Sequence, residues 1–173
     1  SSSFSDWVGR HFILDPEKVF SNWELWRCVT YLFLHNPFSI WHILFNMIAL
    51  WFLGSELESV WGKKKFLQYY FIVGIGSGMI AAIYYYTFNP QSLIGASGAI
   101  YGLLVAYAIL FPNRILYIFG IIPMKTKNIA ILFCGISLFA SIVFPQSEVS
   151  HITHLAGMLV GFSYLVYWTK KKQ

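Results

Sequence analysis

Five apolar stretches, each near the length that crosses a hydrocarbon layer, limit what this chain can fold into more than any single residue does. They cover about residues 40–57, 66–88, 93–111, 128–144 and 151–169. A helix rises about 1.5 Å per residue, so roughly 20 residues cross a layer about 30 Å thick. Inside lipid every backbone polar group must find its partner within the protein, so such stretches fold as helices. The expected architecture is all-α: a polytopic transmembrane helix bundle, with residues 1–173 as one membrane domain and 1–39 as an outer loop region. Composition agrees, since 57% of the residues are hydrophobic and 11% charged, against about 25% charged in soluble domains. A further apolar piece at 29–34 is too short to cross and is expected to lie at the interface or pack on the bundle.

The charges order the spans. Lys63, Lys64 and Lys65 follow the first stretch, and Arg114, Lys125 and Lys127 follow the third. Lys170, Lys171 and Lys172 end the chain. Residues 89–92, between the second and third, carry no charge, and only Glu148 lies between the fourth and fifth. The basic clusters therefore fall on one side, which the positive-inside rule makes cytoplasmic. The C-terminus is then inside and residues 1–39 outside. The net charge of +5 comes from short clusters beside apolar runs, which suits membrane topology and not nucleic acid. Asp6, Arg10, Asp15, Glu17 and Lys18 break up any signal-like apolar core in residues 1–20. An upstream span is therefore expected to export the outer region. Cys134 sits mid-span, so no Cys28–Cys134 disulfide is expected.

This orientation brings the polar residues of three spans to one depth. His42 and Asn46 fall near the outer end of the first stretch, Ser97 of the third and His154 of the fifth. Ionisable groups in lipid are costly and mark function by default. Ser97 sits in Gly95-Ala96-Ser97-Gly98, after an uncharged loop at an expected helix start, where free N–H groups can stabilise an oxyanion. The plainer reading is helix packing, because Gly98 and Gly102 also form a GxxxG seam. His154 is followed by Gly157 and Gly161, a second seam, so its helix can approach the Ser97 helix closely. A histidine against a serine is a base beside a nucleophile; alone, it could equally be a buried histidine bonded to a carbonyl. His42 and Asn46, four apart, share a helix face. They could complete an oxyanion hole or simply hold helices together. No acid is placed to orient His154, so the arrangement is a dyad. His151 and His154 lack an HExxH pattern or a neighbouring carboxylate or cysteine, so no metal is expected.

These residues resemble the motifs of the rhomboid intramembrane serine proteases over most of the chain. Trp26-Arg27 resembles the family's WR motif, His42 to Asn46 its HxxxN, and Glu58 to Gly62 its ExxxG. Gly95 to Gly98 is similar to GxSG, and His154 to Gly161 to HxxGxxxG. The resemblance implies Ser97 as nucleophile and His154 as general base. It places His42, Asn46 and the Ser97 N–H at the oxyanion hole and Tyr101 stacked on the His154 ring. Trp26, Arg27 and Glu58 become structural supports, beside Gly95, Gly98, Gly157 and Gly161. It implies cleavage of transmembrane segments of other membrane proteins near the outer side, within the lipid bilayer and without a cofactor. The family core has six spans, and the one not found here would lie upstream of the WR loop. The stretch from His35 to His42 is also longer than usual in the family. The basic bias and lack of a transit peptide in this stretch point to a bacterial inner membrane. A catalytically inactive, client-binding relative is the alternative. A small transporter is disfavoured by the lack of inverted repeats and of intramembrane carboxylates.

Overall fold

The computed structural model describes residues 4–118, 120–145, 147 and 149–171, excluding the side chains of 4–6. Glu148 and Lys172, used in the charge reading, lie outside the described residues. Two short helices, α1 (Phe4–Phe12) and α2 (Pro16–Ser21), open the chain. α3 (Arg27–Thr30) follows and runs on into a 3-10 turn at Tyr31–Phe33. The bundle is α4 (Ile40–Trp61), α5 (Lys63–Thr87), α6 (Ser97–Leu110), α7 (Thr126–Val143) and α8 (His151–Lys170). An antiparallel hairpin, β1 (Ile115–Ile118) and β2 (Ile122–Lys125), joins α6 to α7.

Among the described residues, α4, α5 and α7 are long and apolar enough to cross a membrane. α6 is apolar but has only 14 residues, whereas α8 has 20 and carries more polar groups, His151, Thr153 and His154 among them. α4 and α7 turn large apolar side chains outward, including Trp41, Phe45 and Trp51 on α4 and Ile131, Phe139 and Ile142 on α7. Apolar surface this extensive fits a hydrocarbon surround and not water. α5 and α6 supply most of the interior, with Tyr69, Val73, Ala81, Ala99, Leu103 and Tyr107 fully or nearly fully buried. α6 is the central post, touching α4, α5, α7 and α8.

Local chemistry sets the boundaries. Asp15 caps α2 by accepting from the Glu17 N–H at 3.1 Å, and Pro16 occupies the first helical turn. Ser150 caps α8 in the same way through the Thr153 N–H. α4 and α5 are separated by Gly62 alone, whose φ of +78° is left-handed and whose N–H closes on Glu58 O at 2.7 Å. α5 then begins with three lysines, against the helix dipole; membrane topology overrides that local preference.

The largest departure from the apolar pattern is at residue 93. The third apolar stretch continues through Leu93 and Ile94, yet α6 starts only at Ser97. Leu93 is paired with Leu14 in a two-way backbone bridge, 3.1 and 2.8 Å, and Gly95 has φ +108°, which no helix accepts. At about 1.5 Å per residue a helix of 14 residues reaches only about 21 Å, short of a hydrocarbon layer about 30 Å thick, so non-helical backbone before Ser97 falls within that depth. Non-helical backbone at that depth must be bonded inside the protein. Leu93 is bonded to Leu14, and the Gly95 N–H donates to Tyr31 O at 2.9 Å.

The outer region is tied down by the same means. Arg27 is buried and its guanidinium donates to Ile13 O at 2.7 Å, Arg10 O at 2.6 Å and the Glu24 carboxylate at 2.5 Å. Trp26 Nε1 donates to His11 O at 3.1 Å. The short apolar piece at 29–34 packs on α5, with Tyr31 and Leu32 buried and the Tyr31 hydroxyl donating to Gly74 O at 2.7 Å. Cys28 and Cys134 are both free thiols, as the mid-span position of Cys134 implies.

Candidate active site

The site grows from one helix contact. α6 and α8 meet along their two GxxxG seams. A Cβ on Gly157 would lie 2.8 Å from Gly98 C and closer still to Gly98 O. One on Gly161 would lie 3.0 Å from Gly102 Cα. The backbones therefore touch, as small-residue seams allow. This contact places Ser97, one residue before Gly98, opposite His154, three residues before Gly157. Ser97 Oγ and His154 Nε2 are 2.9 Å apart. His154 is 6% exposed, and the Tyr101 ring stacks on it with centroids 4.0 Å apart and planes 9° from parallel. That stacking leaves the imidazole little freedom to rotate.

Ser97 is the first residue of α6, and the first helical bond is from the Ile100 N–H to Ala96 O at 3.0 Å. The N–H groups of Ser97, Gly98 and Ala99 precede it, at the positive end of the helix dipole. Gly95 brings the approaching strand under His42: a Cβ there would lie 2.8 Å from His42 Nε2. The strand therefore needs glycine twice over, for its φ and for this approach.

His42 sits on the first turn of α4, and its Nδ1 accepts the Asn36 N–H at 3.1 Å. A neutral imidazole that accepts at Nδ1 carries its proton on Nε2, the atom facing Gly95. The long stretch between His35 and His42 is what makes this possible. Asn36 Oδ1 accepts from the Phe38 N–H at 2.9 Å, folding the segment into an Asx turn that aims the Asn36 N–H back at His42. Asn46 is buried, and its amide donates to His42 O at 2.6 Å, which spends one of its two amide protons within α4. His35 lies edge-on to His42, ring centroids 5.1 Å apart. Burial, with His42 beside it, pushes His35 below the usual imidazole range.

The remaining expected residues lie further off. Trp26 and Arg27 brace the segment at 10–13, which leads into Leu14 and so, through the Leu14–Leu93 bridge, reaches the Gly95 strand. Glu58, half-exposed at the other end of α4, makes no side-chain hydrogen bond or ion pair among the described residues. Its neighbour Glu56 instead contacts the Tyr107 hydroxyl and Arg114. Tyr31, whose carbonyl holds Gly95 and whose hydroxyl holds α5, was not singled out from the sequence. Nor was Ser150, whose hydroxyl lies 3.1 Å from the Tyr85 hydroxyl and 2.5 Å from that of Thr153. The polar cap pattern Ser150-x-x-Thr153 was a usable sign of the latter. No group of histidine, cysteine or carboxylate side chains fit to hold a metal exists among the described residues.

Residues 22–171 match the Rhomboid domain family. The chain is 32% identical over 157 residues to the YdcA protein of Bacillus subtilis (strain 168), covering 88% of this chain and 72% of that one. It is 34% identical over 140 residues to the rhomboid protease GluP of the same organism, and 31% identical over 156 residues to RHOMBOID-like protein 1 of Arabidopsis thaliana. It spans only 25% and 38% of those two proteins. The family match and the apolar helices make this an integral, multi-pass membrane protein. A serine and a histidine joined across a glycine seam, in a helical bundle whose sequence matches this domain over nearly its whole length, place the chain in the rhomboid family.

Proposed function

We propose that the chain is an intramembrane serine protease in which Ser97 and His154 form the catalytic dyad. The observation that carries this reading is the 2.9 Å approach of Ser97 Oγ to His154 Nε2 across the α6–α8 seam. In the reaction His154 Nε2 takes the Ser97 proton as Oγ attacks the scissile carbonyl carbon. The developing oxyanion is met by the Ser97 N–H and by Nε2–H of His42, with the second amide proton of Asn46 as a further donor. His154 then returns the proton to the leaving amine, and water repeats the sequence on the acyl-enzyme to release the acid and restore Ser97. Among the described residues no acid lies against His154, and Tyr101 holds the ring by stacking.

The substrates are transmembrane segments of other membrane proteins, cut near the outer face, where Ser97, half-buried at the start of α6, would meet an unwound strand. By the positive-inside rule the lysine clusters favour a cytoplasmic C-terminus, and a bacterial inner membrane fits this chain, although the family also has members in plants. The alternative, a client-binding relative without activity, keeps neither reason nor need for a bonded Ser97–His154 pair.

Labelling by a fluorophosphonate probe tests the reading. The chain should label at Ser97, with labelling lost in Ser97→Ala and reduced by about 10³-fold or more in His154→Ala. A chain that folds, binds transmembrane clients and never labels, even with an upstream span supplied, belongs to the inactive class.

A further inference from the structure

The hairpin between α6 and α7 has no part in the site, yet it is apolar on both faces. In its register Ile115 faces Lys125, Leu116 faces Met124, Tyr117 faces Pro123 and Ile118 faces Ile122. Leu116, Ile118 and Met124 are half-buried and pack against the bundle core. The opposite face carries Ile115, 55% exposed, Tyr117, 64% exposed, and Pro123. Beyond the strands, Ile121 is 79% exposed beside Gly120, whose φ of +73° makes the reversal. A hairpin with one face on a core and the other in water alternates apolar with polar residues. Among the described residues, Lys125 is the only charged one on the outward face.

The surroundings say what covers that face. The hairpin base is fixed where two spans end: the Thr126 N–H donates to Arg114 O at 2.9 Å, and the Thr126 hydroxyl to Phe111 O. α7 starts at Thr126, so the outward face continues into the lipid-facing side of that helix, with Ile131 and Leu132 exposed. Lys125 and Lys127 flank the junction, and the same end of the bundle carries Lys63, Lys64, Lys65, Lys170 and Lys171, all exposed. Of the carboxylates there, Glu56 is committed to Arg114 and Tyr107, which leaves Glu58. A second copy of this end would bring lysines against lysines, whereas an anionic surface would be attracted. Tyrosine, with an apolar ring and a polar tip, suits a headgroup layer.

We propose that the β1–β2 hairpin is a membrane-surface element that seats Ile115, Tyr117 and Ile121 in the headgroup layer of a leaflet rich in anionic phospholipid, with Lys125 and Lys127 on its phosphates. This rests on the orientation that puts the lysine end in the cytoplasm. The test uses the full chain with Cys134→Ser and a spin label at Tyr117→Cys or Ile121→Cys, reconstituted in vesicles of phosphatidylcholine alone or mixed with phosphatidylglycerol. Both labels should collide with oxygen severalfold more than with a water-soluble nickel chelate in the mixed vesicles. The preference should shrink in pure phosphatidylcholine and in the Lys125→Gln, Lys127→Gln double variant. Labels open to the chelate in both vesicle types overturn the proposal, as does immersion that ignores anionic lipid. Broadening between labels, the sign of a second copy, overturns it too. A separate Lys171→Cys probe reacted with an impermeant maleimide in right-side-out and inverted vesicles reads the orientation, so a reversed topology is told apart from a hairpin that does not immerse.

Discussion

The two ends of the bundle solve opposite problems. At the Ser97 end, outer on the charge reading, polar groups stand in a low-dielectric surround and must be held in place. The chain does this with backbone: a strand bonded to Leu14 and Tyr31, helix N–H groups at Ser97 that precede the first helical bond, and glycines that let α6 touch α8. The lysine end, inner on the same reading, is built differently. There the contacts are side chains, with Glu56, Tyr107 and Arg114 joined across α4 and α6. Trp61 lies edge-on to Trp168 at 5.6 Å, and Lys65 sits 5.5 Å above the Trp168 ring. Side-chain contacts at a protein end tolerate adjustment, because long side chains can move. Backbone contact across glycines cannot adjust without moving a helix, so the outer end should be brittle and the inner end forgiving.

Gly157→Ala tests the brittle end and should have the largest effect. The added methyl runs into the Gly98 backbone, and neither side has a rotamer to yield. α8 must shift outward, and His154, one turn before Gly157, moves with it. Overpacking of this kind costs about 1–3 kcal/mol in stability, and a displacement of about 1 Å at a reacting pair can cost on the order of 10² in rate. Probe labelling at Ser97 should therefore fall about a hundredfold while the variant still folds in detergent. Wild-type labelling with a lowered melting point would show that the seam supports the bundle without setting the dyad.

Glu56→Gln tests the forgiving end. Glutamine still accepts from the Tyr107 hydroxyl and loses the charge opposite Arg114. Both side chains are part-exposed, at 31% for Glu56 and 41% for Arg114, so solvent screens the pair and its loss should cost about 1 kcal/mol or less. The melting point should drop by a few degrees at most, with labelling at Ser97 unchanged. A loss of labelling as large as that of Gly157→Ala would mean that the two ends are coupled through α6 and the contrast drawn here is false.

What could be read from the residues follows the same division. The helical stretches and the glycine seams are local or periodic, so spacing exposed them; Ser97 opens α6, as expected, and His154 lies in the first turn of α8. The Leu14–Leu93 bridge has no such signature, because it joins distant segments that each look like ordinary loop. Without it, Leu93 and Ile94 read as the start of the third span. The hairpin was hidden for a related reason: Ile115 to Met124 is as apolar as a span and too short for one, and the register that makes two faces of it is a property of the pairing. The role of Glu56 was also closed to sequence. Glu56 and Glu58 are two residues apart on α4, on different faces, and only the approach of α6 decides that Glu56 meets Tyr107. The resemblance gives Glu58 a supporting role, and Glu58 makes no side-chain hydrogen bond or ion pair among the described residues.

The smallest expected effect sharpens the contrast by acidity. His35 is held below the ordinary imidazole range by burial and by His42 beside it. An imidazole with a folded pKa below its unfolded value is stabilising in its neutral form. That contribution is complete above the unfolded pKa of about 6.5 and is lost as the pH falls through it toward the folded value. A proton on His35 also faces His42, whose Nδ1 must stay an acceptor for Asn36 if its Nε2–H is to serve the oxyanion. The outer end should thus loosen in mild acid while the inner lysines and the Glu56–Arg114 pair are untouched. Melting points of the wild type and His35→Gln, followed downward from pH 8, should change in parallel until the imidazole range and then diverge, with the wild type losing the more. Parallel curves throughout would mean that His35 keeps its ordinary pKa and that the acid response of the outer end comes from other groups.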